Sequence, residues 1–199
     1  MRESGVGRVL VASLHQAIAE VLPTRLGFYE NWLDSAGLRD GTIGLAPLYA
    51  VLSFLRQEGD AYAQVTRIAG QYAAEWTVES MRPASRSVIG RLPRFLRRRI
   101  LLGRARALVR QSFEGNRASW RIRKGAGRVD VRHSVFCAVR EPVLQPLCLY
   151  YAAACERMLA LFDVAAPVTV ESCRATGADR CRLSVAFTAA VPASTEEAA

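Results

Sequence analysis

Apolar residues recur at three- and four-residue steps along most of the first 115 positions, and the pattern then shifts toward alternation in period two. Val9, Leu10, Leu14, Ile18, Val21 and Leu22 predict a helix that Pro23 stops. Phe28 to Leu33 reads as a short aromatic turn of helix, and Gly37 to Gly44 as a loop. Leu45 to Gln57 is a strongly apolar helix broken by Gly59-Asp60. Ala61 to Ser80 is a second helix, with Val65, Ile68, Tyr72, Trp76 and Val78 as candidate buried positions and Pro83 as its end. Leu92 to Phe113 reads as a long basic helix, with Pro93 in its first turn and Gly115 at its end. Its expected buried face is Leu96, Ile100, Leu101 and Leu108; Arg97, Arg98 and Arg104 are expected outside. Ser119–Arg123 and Val129–Val135 alternate across Lys124-Gly125-Ala126-Gly127, which predicts a hairpin. Val143 to Phe162 is read as helix, and Val168–Arg174 with Cys181–Phe187 as a second hairpin.

This order predicts an α+β fold: an antiparallel sheet from two hairpins, covered by helices, with an N-terminal helical portion. The expected organisation is a helical portion over residues 1–90, an α+β portion over 91–188 packed with it as one domain, and a disordered tail over 189–199. Hydrophobic residues make up 51% of the chain, and mean hydropathy is slightly positive. That excludes a disordered chain and leaves apolar surface over for a ligand cavity or a subunit interface, so a homodimer is expected. No apolar run reaches the ~18 residues of a membrane span. The start, Met1-Arg2-Glu3-Ser4-Gly5, lacks the layout of a secretory signal. A cytoplasmic location with no membrane span is the expectation.

The formal net charge is +9. Arginines crowd the stretch from Arg82 to Arg140, where only Glu114 and Asp130 oppose them. Besides a solvated face, this charge suits an anionic partner, either an acidic protein or the carboxylates of a ligand. Neither a helix-turn-helix nor an aromatic RNA-binding pattern accompanies it, which argues against nucleic acid.

Four of the five cysteines, Cys148, Cys155, Cys173 and Cys181, lie in the last third of the chain. Without an oxidising compartment they are thiols, metal ligands or redox groups rather than disulfides. Cys173 and Cys181 are symmetric about Gly177, so a hairpin turning there sets them opposite each other. Glu171 and Cys173, two apart on a strand, should share a face. With Cys148 from the preceding helix, these groups make a candidate tetrahedral zinc set: Cys148, Glu171, Cys173 and Cys181. Cys155 could replace Glu171, and Cys137, next to a strand end, reads as core. The alternative for all of them is plain buried thiols. His15 and His133 have no nucleophile at a diagnostic spacing, and no nicotinamide, flavin or phosphate-cradling motif is present, so the reading leans away from catalysis.

Cys148-Leu149-Tyr150-Tyr151-Ala152-Ala153, followed by Val168 to Leu183 with its Val-x-Glu, Cys, Gly-x-Asp and second Cys, resembles the 4-vinyl-reductase domain family. These predicted hydrocarbon-binding proteins share a fold with the small subunits of TRAPP tethering complexes. Arginines followed by Ser112-Phe113-Glu114-Gly115 are similar to the bacteriochlorophyll-biosynthesis member. Specific motifs cover residues 143–187; a weaker likeness extends back to about residue 90. In the zinc-binding relatives the glutamate stands three residues before the first hairpin cysteine, whereas Glu171 stands two before Cys173. The resemblance implies non-catalytic binding of a small hydrophobic molecule, of which a tetrapyrrole-pathway intermediate is the most specific form, in a cavity lined by Trp120, Phe136, Tyr150 and Tyr151. The alternative is a protein-interaction or ligand-sensing module.

Overall fold

Lys124 and Gly125 both take positive φ (49° and 77°), the paired left-handed conformation that closes a two-residue hairpin and matches the twist of its strands. The turn therefore sits at Lys124-Gly125, and β1 (Arg117–Arg123) pairs antiparallel with β2 (Ala126–Arg132) from Arg117↔Arg132 to Arg123↔Ala126. The computed structural model describes residues 6–33 and 44–187. The expected loop at residues 37–43 and the tail from residue 188 lie outside them. β3 (Val168–Ser172) and β4 (Cys181–Ala186) form the second antiparallel pair, and β4 also pairs with β2, giving the order β1-β2-β4-β3.

Among the described residues the helices are α1 (Arg8–Val21), α2 (Leu26–Glu30), α3 (Leu45–Gln57), α4 (Asp60–Glu79), α5 (Pro83–Arg91), α6 (Arg94–Ser112) and α7 (Leu149–Ala160). The fold is α+β, with a four-stranded antiparallel sheet and an N-terminal helical portion. Ala118, Val129, Val131, Leu183 and Val185 alternate onto the buried side of the sheet, against α6 and α7. The other side is charged, carrying Arg117, Arg121, Arg128, Arg132 and Arg182, with Asp130 3.0 Å from Arg182. α4 packs along α7, and α1 along α4, so one continuous apolar core runs from the sheet to the N-terminal helices.

Three elements differ from the sequence reading. Pro83 does not only end α4; its fixed φ suits a first helical position, and it opens α5. The helix expected from Val143 starts only at Leu149, because Pro142 and Pro146 interrupt helical hydrogen bonding. The Val143 N–H instead donates to the Ala175 carbonyl (2.7 Å), tying this loop to the β3–β4 connection.

The third difference is the face of α6. Leu101 and Leu108 are buried and Arg104 is exposed, as expected, but Leu96 and Ile100 are each 37% exposed. In the first turns of α6 the side bearing Phe95, Leu96 and Ile100 is left uncovered. Arg97 is half-buried there: its guanidinium donates to the carbonyls of Gly90, Leu92 and Phe162, where the end of α5 gathers partial negative charge. Arg98 lies over the Phe187 ring, 4.6 Å from its centre. Leu101→Ala is expected to lower unfolding stability by about 2–5 kcal/mol in denaturant titration, whereas Leu96→Ala should change it by less than about 1 kcal/mol.

Candidate metal centre

Four cysteines meet at one end of the sheet, each delivered by a different break in regular structure. Cys137 closes the short 3-10 turn Val135–Cys137, just beyond β2. Cys148 is the residue before α7. Cys173 follows β3, and Cys181 is the first residue of β4, opposite Val131 of β2. The turn between the last two is locked by its backbone. The Cys173 carbonyl accepts from the Thr176 N–H (3.1 Å), the Ala178 N–H (3.2 Å) and the Thr176 hydroxyl (2.9 Å). Gly177 supplies the left-handed conformation that closes it, with φ +91°.

The Cys137 sulfur lies 3.3 Å from that of Cys173 and 3.4 Å from that of Cys181, and the Cys148 sulfur is 3.6 Å from that of Cys173. All four sulfurs fall within 4.8 Å of one another, and none of the four residues is more than 6% exposed. These spacings are far too long for disulfide bonds at ~2.05 Å. They bracket the separation of about 3.8 Å that four sulfurs take around one ion at ~2.3 Å. The group can hold a metal ion.

The local electrostatics suit thiolates. The Arg174 N–H points at the Cys181 sulfur (3.5 Å), and Cys148 sits at the positive N-terminal end of α7. Hydrogen bonds among the sulfurs divide them when no cation is present. Cys137 is held below the usual thiol range, foremost by its bond with Cys148, and Cys173 foremost by its bond with Cys137. Cys148 and Cys181 are pushed up, each foremost by its bond with Cys137. A shared proton lets one sulfur carry charge while its neighbour stays neutral; a divalent cation replaces those protons. Outside the sulfurs, the buried Tyr62 hydroxyl of α4 donates to the Leu147 carbonyl (2.8 Å), fixing the residue that precedes Cys148.

The structure brings together Cys148, Cys173 and Cys181 from the sequence-derived set but not Glu171. A bulge between Val170 and Ser172 places an extra residue in β3, so Ser172, not Glu171, pairs with Arg182. The extra residue reverses the alternation. Cys173 therefore turns inward while Glu171 faces out, 42% exposed, with its carboxylate 3.5 Å from Arg128 and 3.8 Å from Arg182. The fourth sulfur of the group is that of Cys137, a residue that reads as core in the sequence. Cys155 is buried on α7 outside the group, its thiol pushed up to about 12 by burial.

Three of the four aromatic positions pack on one another, and Trp120 lies apart from them. Phe136 stacks on Tyr150 (4.9 Å between ring centres) and meets Tyr151 edge-on (5.4 Å), and all three are fully buried. The Tyr151 hydroxyl accepts a hydrogen bond from the Asn116 side-chain amide (2.9 Å). Tyr150 borders a pocket of about 110 Å³, well below the ~300–1,000 Å³ of a small-molecule site. Trp120 is half-buried elsewhere, over Gly103 of α6. A larger groove of about 530 Å³ runs between α4, α7 and β3, with Leu149, Ala152, Val168 and Val170 on its floor and Arg67, Glu156 and Arg157 on its walls. No helix among the described residues is long and apolar enough to cross a membrane. No family model matches the chain, and no curated protein is significantly similar to it.

Proposed function

We propose that this chain is a non-catalytic binding module whose sheet, helix and connecting loop are stapled by one zinc ion on Cys137, Cys148, Cys173 and Cys181. The convergence of four buried sulfurs carries the reading. Zinc favours tetrahedral thiolate sets, and four protein ligands close its coordination sphere, leaving no open position for water or substrate. The ion's role is then to hold the fold. The chain purified from its own host should contain one zinc per molecule by elemental analysis. Less than one per several chains, with stability unchanged by a chelator, would leave only a cluster of buried thiols. Tyr62→Phe removes the hydrogen bond that holds the loop before Cys148. It should weaken zinc roughly tenfold to a hundredfold in competition with a chromophoric chelator.

The ligand that fits best is a small hydrophobic molecule bearing carboxylates, with a tetrapyrrole-pathway intermediate as its most specific form. The 530 Å³ groove has the volume for one face of such a molecule, an apolar floor, and Arg67 to meet a carboxylate, while Arg157 on the same wall is held by Glu75 (2.7 Å). Protoporphyrin titrated into the zinc-loaded chain should quench its intrinsic fluorescence and saturate at one equivalent. Arg67→Ala should weaken that binding about tenfold. A chain that stays blind to porphyrin would favour the second reading, an interaction module. That reading draws on the solvent-exposed aromatic side chains Phe28 and Trp32, near the N-terminal helices.

A further inference from the structure

The α5–α6 corner exposes four large apolar side chains: Val88 (60%), Phe95 (62%), Leu96 (37%) and Ile100 (37%). Arg91, Arg94, Arg99 and Arg104 are exposed among them. At about 100° per residue, Phe95, Arg99, Leu96, Ile100 and Arg104 follow one another across a single half of the α6 circumference. No aspartate or glutamate occurs between Glu79 and Glu114.

We propose that this corner docks on the surface of an anionic lipid bilayer, with Phe95, Leu96 and Ile100 in the headgroup–acyl boundary and the arginines on lipid phosphates and carboxylates. The proposal is independent of the groove and of the metal. Charge decides against a second copy of the chain. A two-fold contact would set each arginine against the same arginine-rich patch, with no carboxylate on these helices to answer it. The interleaving decides against an acidic protein. Protein interfaces gather apolar residues at a centre depleted of charge. Here Arg99 falls between Phe95 and Leu96 on the helix surface. A bilayer accepts that arrangement, because the arginine stem lies along apolar surface while its head rises to the headgroups.

The test is flotation of the chain with vesicles of phosphatidylcholine alone, or of phosphatidylcholine and phosphatidylserine in equal parts. Binding is expected to the second and not the first, and should weaken as salt is raised. Arg94→Gln/Arg99→Gln/Arg104→Gln should lower partitioning on the order of a hundredfold, at about fivefold per arginine. Phe95→Ser/Leu96→Ser should lower it about tenfold or more. A control that removes the same charge from the open face of the sheet, Arg117→Gln/Arg121→Gln/Arg123→Gln, should change it only a few-fold. The two triple variants carry the same net charge, so a general charge effect appears in both and counts against the site. Failure to bind phosphatidylserine vesicles, or equal loss in the control, overturns the proposal. So does full competition by polyglutamate with binding unaffected by Phe95→Ser/Leu96→Ser, which assigns the surface to an acidic polymer. Conversion of a lipid-free dimer to a monomer by Phe95→Ser/Leu96→Ser assigns it instead to self-association.

Discussion

A Cys173→Ser/Cys181→Ser chain is expected to lose its zinc and, with it, cooperative folding of the sheet and α7. The four cysteines come from the 3-10 turn beyond β2, the loop before α7, the residue after β3 and the start of β4. An ion held there would join segments that the chain brings together only on folding. Structural zinc binds thiolate sites with roughly 10–16 kcal/mol of apparent free energy at neutral pH. A whole domain is stable by only about 5–15 kcal/mol. Removing two of four thiolates should thus cost as much as the fold has to lose, and thermal unfolding should become broad and shift down by tens of degrees. The wild-type chain in excess chelator should behave the same way. Cys137→Ser should fail too, whereas Glu171→Gln should retain full zinc, because that carboxylate faces Arg128 and Arg182 outside the cluster. Cys155→Ser, which buries a hydroxyl on α7 away from the sulfurs, should keep its zinc and lose only about 1–3 kcal/mol. Equal melting with and without chelator, or a Glu171→Gln chain that loses its metal, would contradict the assignment.

The residues that were legible in the sequence are those whose positions depend on local periodicity. Alternation around two glycine turns locates both hairpins, and the symmetry of Cys173 and Cys181 about Gly177 puts their sulfurs in one place. What was not legible depends on a break in that periodicity. Counting in twos from Cys173 turns Glu171 inward, and one bulged residue in β3 reverses that count. Cys137, next to a strand end, reads as core, yet a 3-10 turn after β2 aims it at the cluster. A signal was available. Cys137 and Cys148 flank a stretch punctuated by Pro142 and Pro146, and Cys173 and Cys181 flank Gly177, whereas Cys155 lies inside an uninterrupted helical repeat. Cysteines that bracket irregular backbone are the ones free to converge on an ion. Leu96 and Ile100 illustrate a different limit: helical spacing shows that two apolar residues share a face, but not whether anything in the fold reaches far enough to cover it.

Gly70→Ala is expected to destabilise the protein, although alanine is the better helix former, and the cause lies at the crossing of α4 and α7. These two helices make the most extensive helix–helix contact among the described residues, and Gly70 faces the α7 backbone directly. A Cβ built there would overlap the Tyr150 carbonyl oxygen and reach 3.0 Å from the Ala154 backbone nitrogen. Both are main-chain atoms of α7, so no side-chain rotation relieves the clash; the helix itself must move. Overpacking of this kind costs about 1–3 kcal/mol or more, which outweighs the gain of ~1 kcal/mol from replacing a helical glycine. Displacement of α7 is also displacement of Cys148, which precedes its first turn, and of Tyr150 and Tyr151, whose rings lock onto Phe136. The variant should therefore melt several degrees lower and bind zinc more weakly. Gly103→Ala provides the contrast. It lies mid-helix in α6, where an added Cβ meets only the Trp120 indole nitrogen at an ordinary 3.8 Å. That substitution should raise stability by about 0.5–1 kcal/mol and leave zinc affinity unchanged. If the two glycines respond alike to alanine, close approach of α4 and α7 is not what positions the helix that follows Cys148.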